Sequence, residues 1–297
     1  MKRKSLALFL TILAAFFGFV LLVGTVPTTS LARIAKGYLL RSRYFVEGYL
    51  QNGETLPASP EDLNLSTPIT PTEPIWEMLA EVDRERAEAD LRRLTGEEPL
   101  CITTGCYTIT HRLTGSDELG WAMDYLYQNL EPLGYTVEFS EWSLWEYADR
   151  NLIARKAGVL TPTEEVYLVA HVDGVKPSEE SYPAADDNAS SVVNGLELAR
   201  VFGARNFGRT IVLFFSTGEE QGARGVRVYL DSLSPDELAA IKYVINRDMT
   251  GYDGNGDGLV NLAHGDHLPT LGLAQVMSAT IDAYQLNLDQ RVVAGCP

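Results

Sequence analysis

Histidine and carboxylate side chains occur in four separate stretches of this sequence, each at the end of a predicted strand or in a loop that follows one. These residues are His171, Asp173, Asp186, Glu219, Glu220 and Asp248. Imidazole and carboxylate groups are the ligands of water-activating metal ions, and a carboxylate is also able to bridge two metals. The residue types and their places therefore predict a metal site that activates water for hydrolysis.

Two of these stretches have a spacing with a direct chemical use. His171 and Asp173 are alternate residues of a predicted strand, so they share a face and Asp173 is able to orient the imidazole. Glu219 and Glu220 are adjacent and point in different directions, which lets one bind a metal while the other takes a proton from bound water. Each stretch alone also fits a simpler role, as an acidic first helical turn for the glutamates or a helix N-cap for Asp186. Their occurrence together favours the metal site.

Helical and strand patterns alternate along most of the chain. Helices are predicted at 74–94, 117–135, 187–203, 219–233 and 270–286. Strands are predicted at 136–145, 151–158, 165–173, 209–218 and 242–251. This order predicts an α/β fold, a three-layer α/β/α sandwich with a mainly parallel central sheet. Ligands of such sheets bind at the carboxyl ends of the strands, where the polar residues above are placed.

Composition limits the class of protein. The 297 residues are long enough for one large domain or two small ones, and 45% of them are hydrophobic, which provides for a substantial core. The chain has 24 basic and 40 acidic residues and a net charge of −16. This charge argues against nucleic acid as a partner.

The N-terminal residues form a predicted export segment. Lys2, Arg3 and Lys4 precede an apolar stretch at 6–26 that is long enough to cross a bilayer as one helix. We expect three regions: a signal anchor or transmembrane segment at 1–32, a juxtamembrane and proline-rich linker at 33–74, and a folded domain at 75–297. The membrane is thus a predicted partner, with the folded domain anchored outside the cytoplasm, or secreted if the segment is cleaved.

Three cysteines are present. Cys101 and Cys106 either close a small disulfide loop in an oxidising compartment or remain two free thiols, and Cys296 has no evident partner. The sequence leaves these alternatives open.

A glycine-rich stretch at 253–258 matches the opening of a calcium loop. Asp253, Asn255 and Asp257 have the spacing of Ca²⁺ ligands, but His264 stands where such a loop ends in glutamate, so a full EF-hand is excluded. A turn between strands is the simpler interpretation and is favoured over a Ca²⁺ site.

The ordered motifs HVDG (171–174), AADDNASS (184–191), STGEEQGARG (216–225) and RDMTGYDGNGDG (247–258) resemble those of the M28 family of zinc aminopeptidases. The resemblance covers the chain from about residue 105 and implies hydrolysis of N-terminal residues from peptides with a free N-terminus. It implies two zinc ions, one held by His171 and Asp248, the other by Glu220, and both bridged by Asp186. It also implies that Glu219 is the general base, that Asp173 orients the histidine, and that a cis peptide bond follows the bridging aspartate.

The sequence departs from the family at one zinc ligand. The family completes the second site with a histidine well after the Asp248 position, whereas His264 and His267 come too early here. We therefore expect this sequence to be incomplete at its C-terminus, with the fifth ligand beyond Pro297.

Two alternatives remain at this point. One is a non-catalytic, receptor-like ectodomain on the same fold, which is disfavoured because such relatives lose their ligands. The other is a glutaminyl-cyclase-like or amidohydrolase-like relative. The single-zinc cyclases lack the His171 ligand, so its presence here favours the aminopeptidase.

Overall fold

The structure is a computed structural model that describes residues 69–175, 182–265 and 268–295. The predicted anchor at 1–32 and most of the linker at 33–74 lie outside the described residues. Within the described residues, no helix is long and apolar enough to cross a membrane.

Helices and strands alternate through the described chain. The helices are α1 (Glu73–Ala80), α2 (Arg84–Leu94), α3 (Asp117–Leu130), α4 (Ser191–Gly203), α5 (Arg224–Ser232), α6 (Pro235–Ala240) and α7 (Leu268–Ala283). The strands are β1 (Leu100–Ile102), β2 (Gly105–Tyr107), β3 (Thr136–Leu144), β4 (Tyr147–Lys156), β5 (Thr161–His171), β6 (Arg209–Ser216), β7 (Ile241–Asn246), β8 (Leu259–His264) and β9 (Asp289–Ala294). The predicted α/β fold is confirmed.

The central sheet has five strands in the order β3-β4-β6-β5-β7. β5 pairs in parallel with β6 and β7, whereas β3–β4 and β4–β6 are antiparallel. The expectation of a mainly parallel sheet was therefore wrong for the described strands, because half of the pairings are antiparallel. The physical reason is the short turn between Leu144 and Tyr147, since a parallel pair needs a long crossover connection.

Helices cover both faces of this sheet and give three layers. Alternate residues of β6 point to opposite sides, so that Leu213 and Phe215 belong to the core beneath α3 and α4. Val212 and Phe214 face the other side, where Phe214 lies 4.8 Å from the ring of Tyr229 in α5. Every residue of β6 is buried, so this apolar strand is enclosed on both faces.

The N-terminal helical region differs from its prediction. The helix expected at 74–94 is divided in two, because Asp83 caps α2 by accepting the backbone N–H of Arg86 at 3.1 Å. The backbone N–H of Asp83 in turn donates to the buried carboxylate of Glu197 in α4 at 2.8 Å. After α2, the hairpin of β1 and β2 carries a disulfide between Cys101 and Cys106, so the open question about this pair is settled in favour of the bond.

Two helices begin later than predicted, and both delays affect candidate ligands. The helix expected at 187–203 begins at Ser191, after an irregular turn at Ala185–Ser190. The helix expected at 219–233 begins at Arg224. Glu219 and Glu220 therefore lie in a loop at the carboxyl end of β6, and the interpretation of this pair as a first helical turn does not hold.

Candidate metal centre

His171 stands at the centre of the site. It is the last residue of β5, and its imidazole is buried. The Nε2 atom lies 3.1 Å from an oxygen of Asp187 and 3.6 Å from an oxygen of Asp248, with each of these carboxylates about half exposed. The three ligand atoms all lie within 4.8 Å of one another. One imidazole and two carboxylates at this separation are a donor set of the kind that zinc binds.

A second group of ligand atoms shares the same histidine. His171, Glu219 and Glu220 also offer three ligand atoms within 4.8 Å of one another. The Oε1 atom of Glu220 is buried and has no hydrogen-bond partner among the described residues. Because a buried carboxylate oxygen without a partner is costly, this atom fits a bound cation. The donors of both groups, which share His171, therefore fit zinc.

Asp173 connects the ends of two neighbouring strands. Its fully buried carboxylate accepts the backbone N–H of Glu219 at 3.2 Å and that of Glu220 at 3.1 Å. Its backbone carbonyl lies 3.1 Å from the Nδ1 atom of His171, and its Oδ1 atom lies 3.8 Å from the same nitrogen. Asp173 thus contacts both the histidine and the backbone of the glutamate pair. Its backbone carbonyl lies closer to the imidazole than its carboxylate does.

The two adjacent aspartates before α4 have different environments. Asp187 contacts His171, whereas the Oδ1 atom of Asp186 accepts the backbone N–H of Gly251 at 2.9 Å. Asp186 belongs to neither group of ligand atoms found among the described residues. The cis peptide bond expected after Asp186 lies one residue later, between Asp187 and Asn188.

The loops that carry Asp187 and Asp248 are joined to each other by polar side chains. Asn188 is buried and donates to the carbonyl of Arg247 at 3.0 Å, while its oxygen accepts the backbone N–H of Met249 at 3.2 Å. These bonds flank Asp248 on both sides. The sequence gives no signal for this role of Asn188 beyond its place directly after the aspartate pair.

The charges of the site change the protonation of its members in the metal-free chain. Burial, followed by the charge of Asp187, raises the pKa of Glu220 to about 7. Burial also raises the pKa of Glu219. For His171, burial lowers the pKa, but the carboxylates of Asp187 and Asp248 outweigh burial and hold this pKa well above its usual value. A cation bound among these groups would reverse much of this crowding of negative charge.

The loop at 253–258 was also a candidate for metal binding, and two histidines follow it. Asp253 and Asp257 accept backbone N–H groups of their own loop, at Gly258 and Leu259, and Asn255 donates to Asp257 at 2.7 Å. The calcium site stays a prediction. His264 ends β8, and His267 lies outside the described residues, as does Cys296.

The described chain is thus an α/β domain with a histidine and carboxylate centre at the carboxyl edge of its sheet. Residues 151–290 match the family model of peptidase family M28, which is a family of hydrolases. The prediction from the motifs is confirmed at this level.

Individual relatives agree with the family. A probable aminopeptidase of Saccharomyces cerevisiae is 23% identical over 211 residues, which is 68% of this chain and 54% of the yeast protein. A probable zinc metalloprotease of Pyricularia oryzae is 34% identical over 106 residues, or 34% of this chain and 21% of that protein. The chain thus spans from about a fifth to about half of these relatives. The crystal structure of the LapA aminopeptidase of Legionella pneumophila shares the fold with a TM-score of 0.56 at 19% identity, covering 86% of this chain and 65% of that one.

Proposed function

We propose that this protein is a metal-dependent aminopeptidase that removes N-terminal residues from peptides. The observation that carries the proposal is that His171 belongs to two groups of carboxylate ligand atoms, together with the buried Oε1 atom of Glu220, which has no partner among the described residues. The match to the M28 family model and the names of the relatives support the same activity.

Zinc would be held by residues of both groups that share His171. We assign His171, Asp187 and Asp248 to one ion and Glu220 to a second, with Asp187 as the shared carboxylate. This assignment moves the bridging role from Asp186 to its neighbour, since Asp186 is bonded to a backbone N–H instead. When bound, zinc polarises a carbonyl group and lowers the pKa of a coordinated water.

Glu219 is the proposed general base. Its carboxylate lies in the same group of atoms as His171 and Glu220, and burial raises its pKa, which makes it a better proton acceptor than an ordinary carboxylate. The backbone N–H of Glu219 is bonded to Asp173, which fixes the point from which the Glu219 side chain extends. From this position the carboxylate would take a proton from water and give it to the leaving amine.

The charge of the site supports a preference for substrates with a free N-terminus. In the proposed assignment Glu219 holds no ion, so its carboxylate keeps a negative charge that is able to attract the ammonium group of a free N-terminus. A peptide whose N-terminus is acetylated has no such charge. The same argument gives the test of the activity.

The test compares an amino-acid p-nitroanilide with its N-acetylated form, with and without a metal chelator. We expect hydrolysis of the free-amine compound alone, lost with the chelator and restored by zinc. Hydrolysis of the acetylated compound at an equal rate would favour an amidohydrolase. Release of ammonia from a peptide with N-terminal glutamine would favour a cyclase, and zinc binding without turnover of either compound would favour a receptor-like domain.

We further propose that residues 1–32 anchor the protein to a membrane, with the linker at 33–74 leading to a catalytic domain at 75–297 outside the cytoplasm. The support is the apolar stretch at 6–26 behind three basic residues. Retention of the full chain in the membrane fraction after carbonate washing, with release on deletion of 1–32, is the expected result. Full release of the intact chain by the wash would contradict the anchor.

A further inference from the structure

Arg112 is a buried cation whose guanidinium bonds only to backbone carbonyls among the described residues. The residue is 1% exposed. Its nitrogens donate to the carbonyls of Val172 and Leu94 at 2.7 Å each, of Pro183 at 2.5 Å and of Ala184 at 2.8 Å. One side chain thereby connects three separate segments of the chain.

Two of these segments carry candidate ligands. Val172 lies between His171 and Asp173, and Ala184 lies three residues before Asp187. The backbone of Arg112 adds a further contact, because its carbonyl accepts the N–H of Gly174 at 2.9 Å. The separation between the histidine loop and the Asp187 loop is therefore set in part by the length and forked shape of this side chain.

A threonine two residues later supports the other side of the site. The hydroxyl of Thr114 lies 3.3 Å from an Asp173 oxygen and also bonds to the side-chain oxygen of Gln221 at 2.5 Å. Gln221 directly follows Glu220. Segment 110–116 thus contacts the loops that carry His171, Asp187 and Glu220, although it lies outside the 151–290 match to the family.

We propose that segment 110–116 is a positioning element for the metal centre, in which Arg112 sets the spacing of His171 and Asp187 and Thr114 fixes the carboxylate of Asp173. The proposal rests on the metal site of the proposed function. Such supporting contacts behind metal ligands commonly change metal affinity by about 10- to 100-fold. Burial lowers the pKa of Arg112 to about 10, so the side chain remains a cation at neutral pH, close to the acidic centre.

The experiment measures zinc affinity in the full chain by competition with a chromophoric chelator, and the visible spectrum of the cobalt-substituted protein. Arg112→Lys keeps the charge but not the fork that reaches several carbonyls. Arg209→Lys is the matched control, because Arg209 is also buried but stands at the opposite end of β6. We expect zinc binding about tenfold weaker or more for Arg112→Lys, with an altered cobalt spectrum, and unchanged affinity for Arg209→Lys.

Thr114 provides the second pair of variants, which keeps the test decisive if Arg112→Lys does not fold. Thr114→Val removes the hydroxyl at nearly constant volume and is expected to weaken zinc binding, whereas Thr114→Ser retains the hydroxyl and is expected to restore it. If Arg112→Lys and Thr114→Val bind zinc as tightly as the wild type, the positioning role is contradicted while the metal site stands. If the wild-type chain binds no zinc, the metal site and the positioning role are both contradicted.

Discussion

The carboxylate of Asp173 accepts the backbone N–H of Glu220 at 3.1 Å. The bond joins the residue that follows β5 to the loop that follows β6, two strands that run in parallel and end at the same edge of the sheet. The neighbouring N–H of Glu219 is held by the other oxygen of the same carboxylate. One buried side chain therefore fixes the backbone of both glutamates, which allows their side chains to take different roles.

Asp173→Asn should damage the metal centre. The change replaces one acceptor oxygen with an N–H₂ group that faces a backbone donor, so one bond is lost at a buried place. We expect a loss of about 1–3 kcal/mol in the free energy of unfolding and a clear loss of zinc affinity, measured by denaturation and by chelator competition. Glu197→Gln is the control, because the carboxylate of Glu197 is also fully buried and also accepts a backbone N–H, that of Asp83. Equal zinc affinity in the two variants would contradict this role of Asp173.

Glu219→Gln should separate metal binding from turnover. The amide keeps the size of the side chain but cannot accept a proton, so we expect kcat to fall by about 10²- to 10⁴-fold. Zinc content, measured by atomic absorption, should stay at the wild-type level, since Glu220 and the His171 group are intact. A variant with wild-type kcat would remove Glu219 from the role of general base.

Zinc binding should release protons and strengthen as the pH rises. The pKa of His171 is held well above its usual value and that of Glu220 is raised to about 7, so both groups carry protons in the metal-free chain below that pH. Metal ligands must lose these protons, and affinity therefore falls as the pH is lowered through about 7.

Calorimetry in buffers of different ionisation enthalpy measures the number of protons released. Glu220→Gln is the matched variant, since it removes one titrating ligand and should lower that number by up to roughly one. A zinc affinity that stays constant across this pH range would contradict the protonation of His171 and Glu220 before zinc binds.

An ion pair between the buried Glu197 and the partly exposed Arg86 should help to hold the N-terminal helices on the domain. The side chain of Glu197 in α4 is 0% exposed, and its carboxylate accepts from Arg86 Nε at 2.9 Å and from the backbone of Asp83. Glu197→Ala leaves these donors unpaired and should cost about 3 kcal/mol in the free energy of unfolding. Glu88→Ala, which removes only more exposed pairs with Arg84 and Arg92, should cost about 1 kcal/mol or less in the same urea titration. Equal losses would contradict a special role for the α2–α4 contact.

The sequence was informative where periodicity and residue type carry the structure. The strand predicted at 209–218 is present as β6, and the strand-end positions of His171 and Asp248 placed these residues at one edge of the sheet. The share of parallel strand pairs in the central sheet was overestimated, because hydrophobic periodicity does not show the direction in which a strand runs. Only the length of the turn at residues 145–146 forces β3 and β4 to be antiparallel.

Irregular backbone explains what the sequence did not reveal at the site. Asp186 and Asp187 are consecutive and identical, and they lie in a turn without a regular period, so no pattern decides which one faces His171. Arg112 bonds to carbonyl groups, which every residue type possesses, so its contacts leave no signal in the residues it touches. Both features depend on the folded geometry.

The most direct test of the central claim is zinc affinity in Asp187→Asn beside Asp186→Asn. Both variants remove one negative charge from adjacent positions, and they differ only in which carboxylate is lost. We predict that Asp187→Asn loses most of its zinc while Asp186→Asn binds it nearly as tightly as the wild type, because Asp187 lies 3.1 Å from His171 Nε2 and Asp186 accepts the N–H of Gly251. Loss of zinc in Asp186→Asn with full binding in Asp187→Asn would contradict the account.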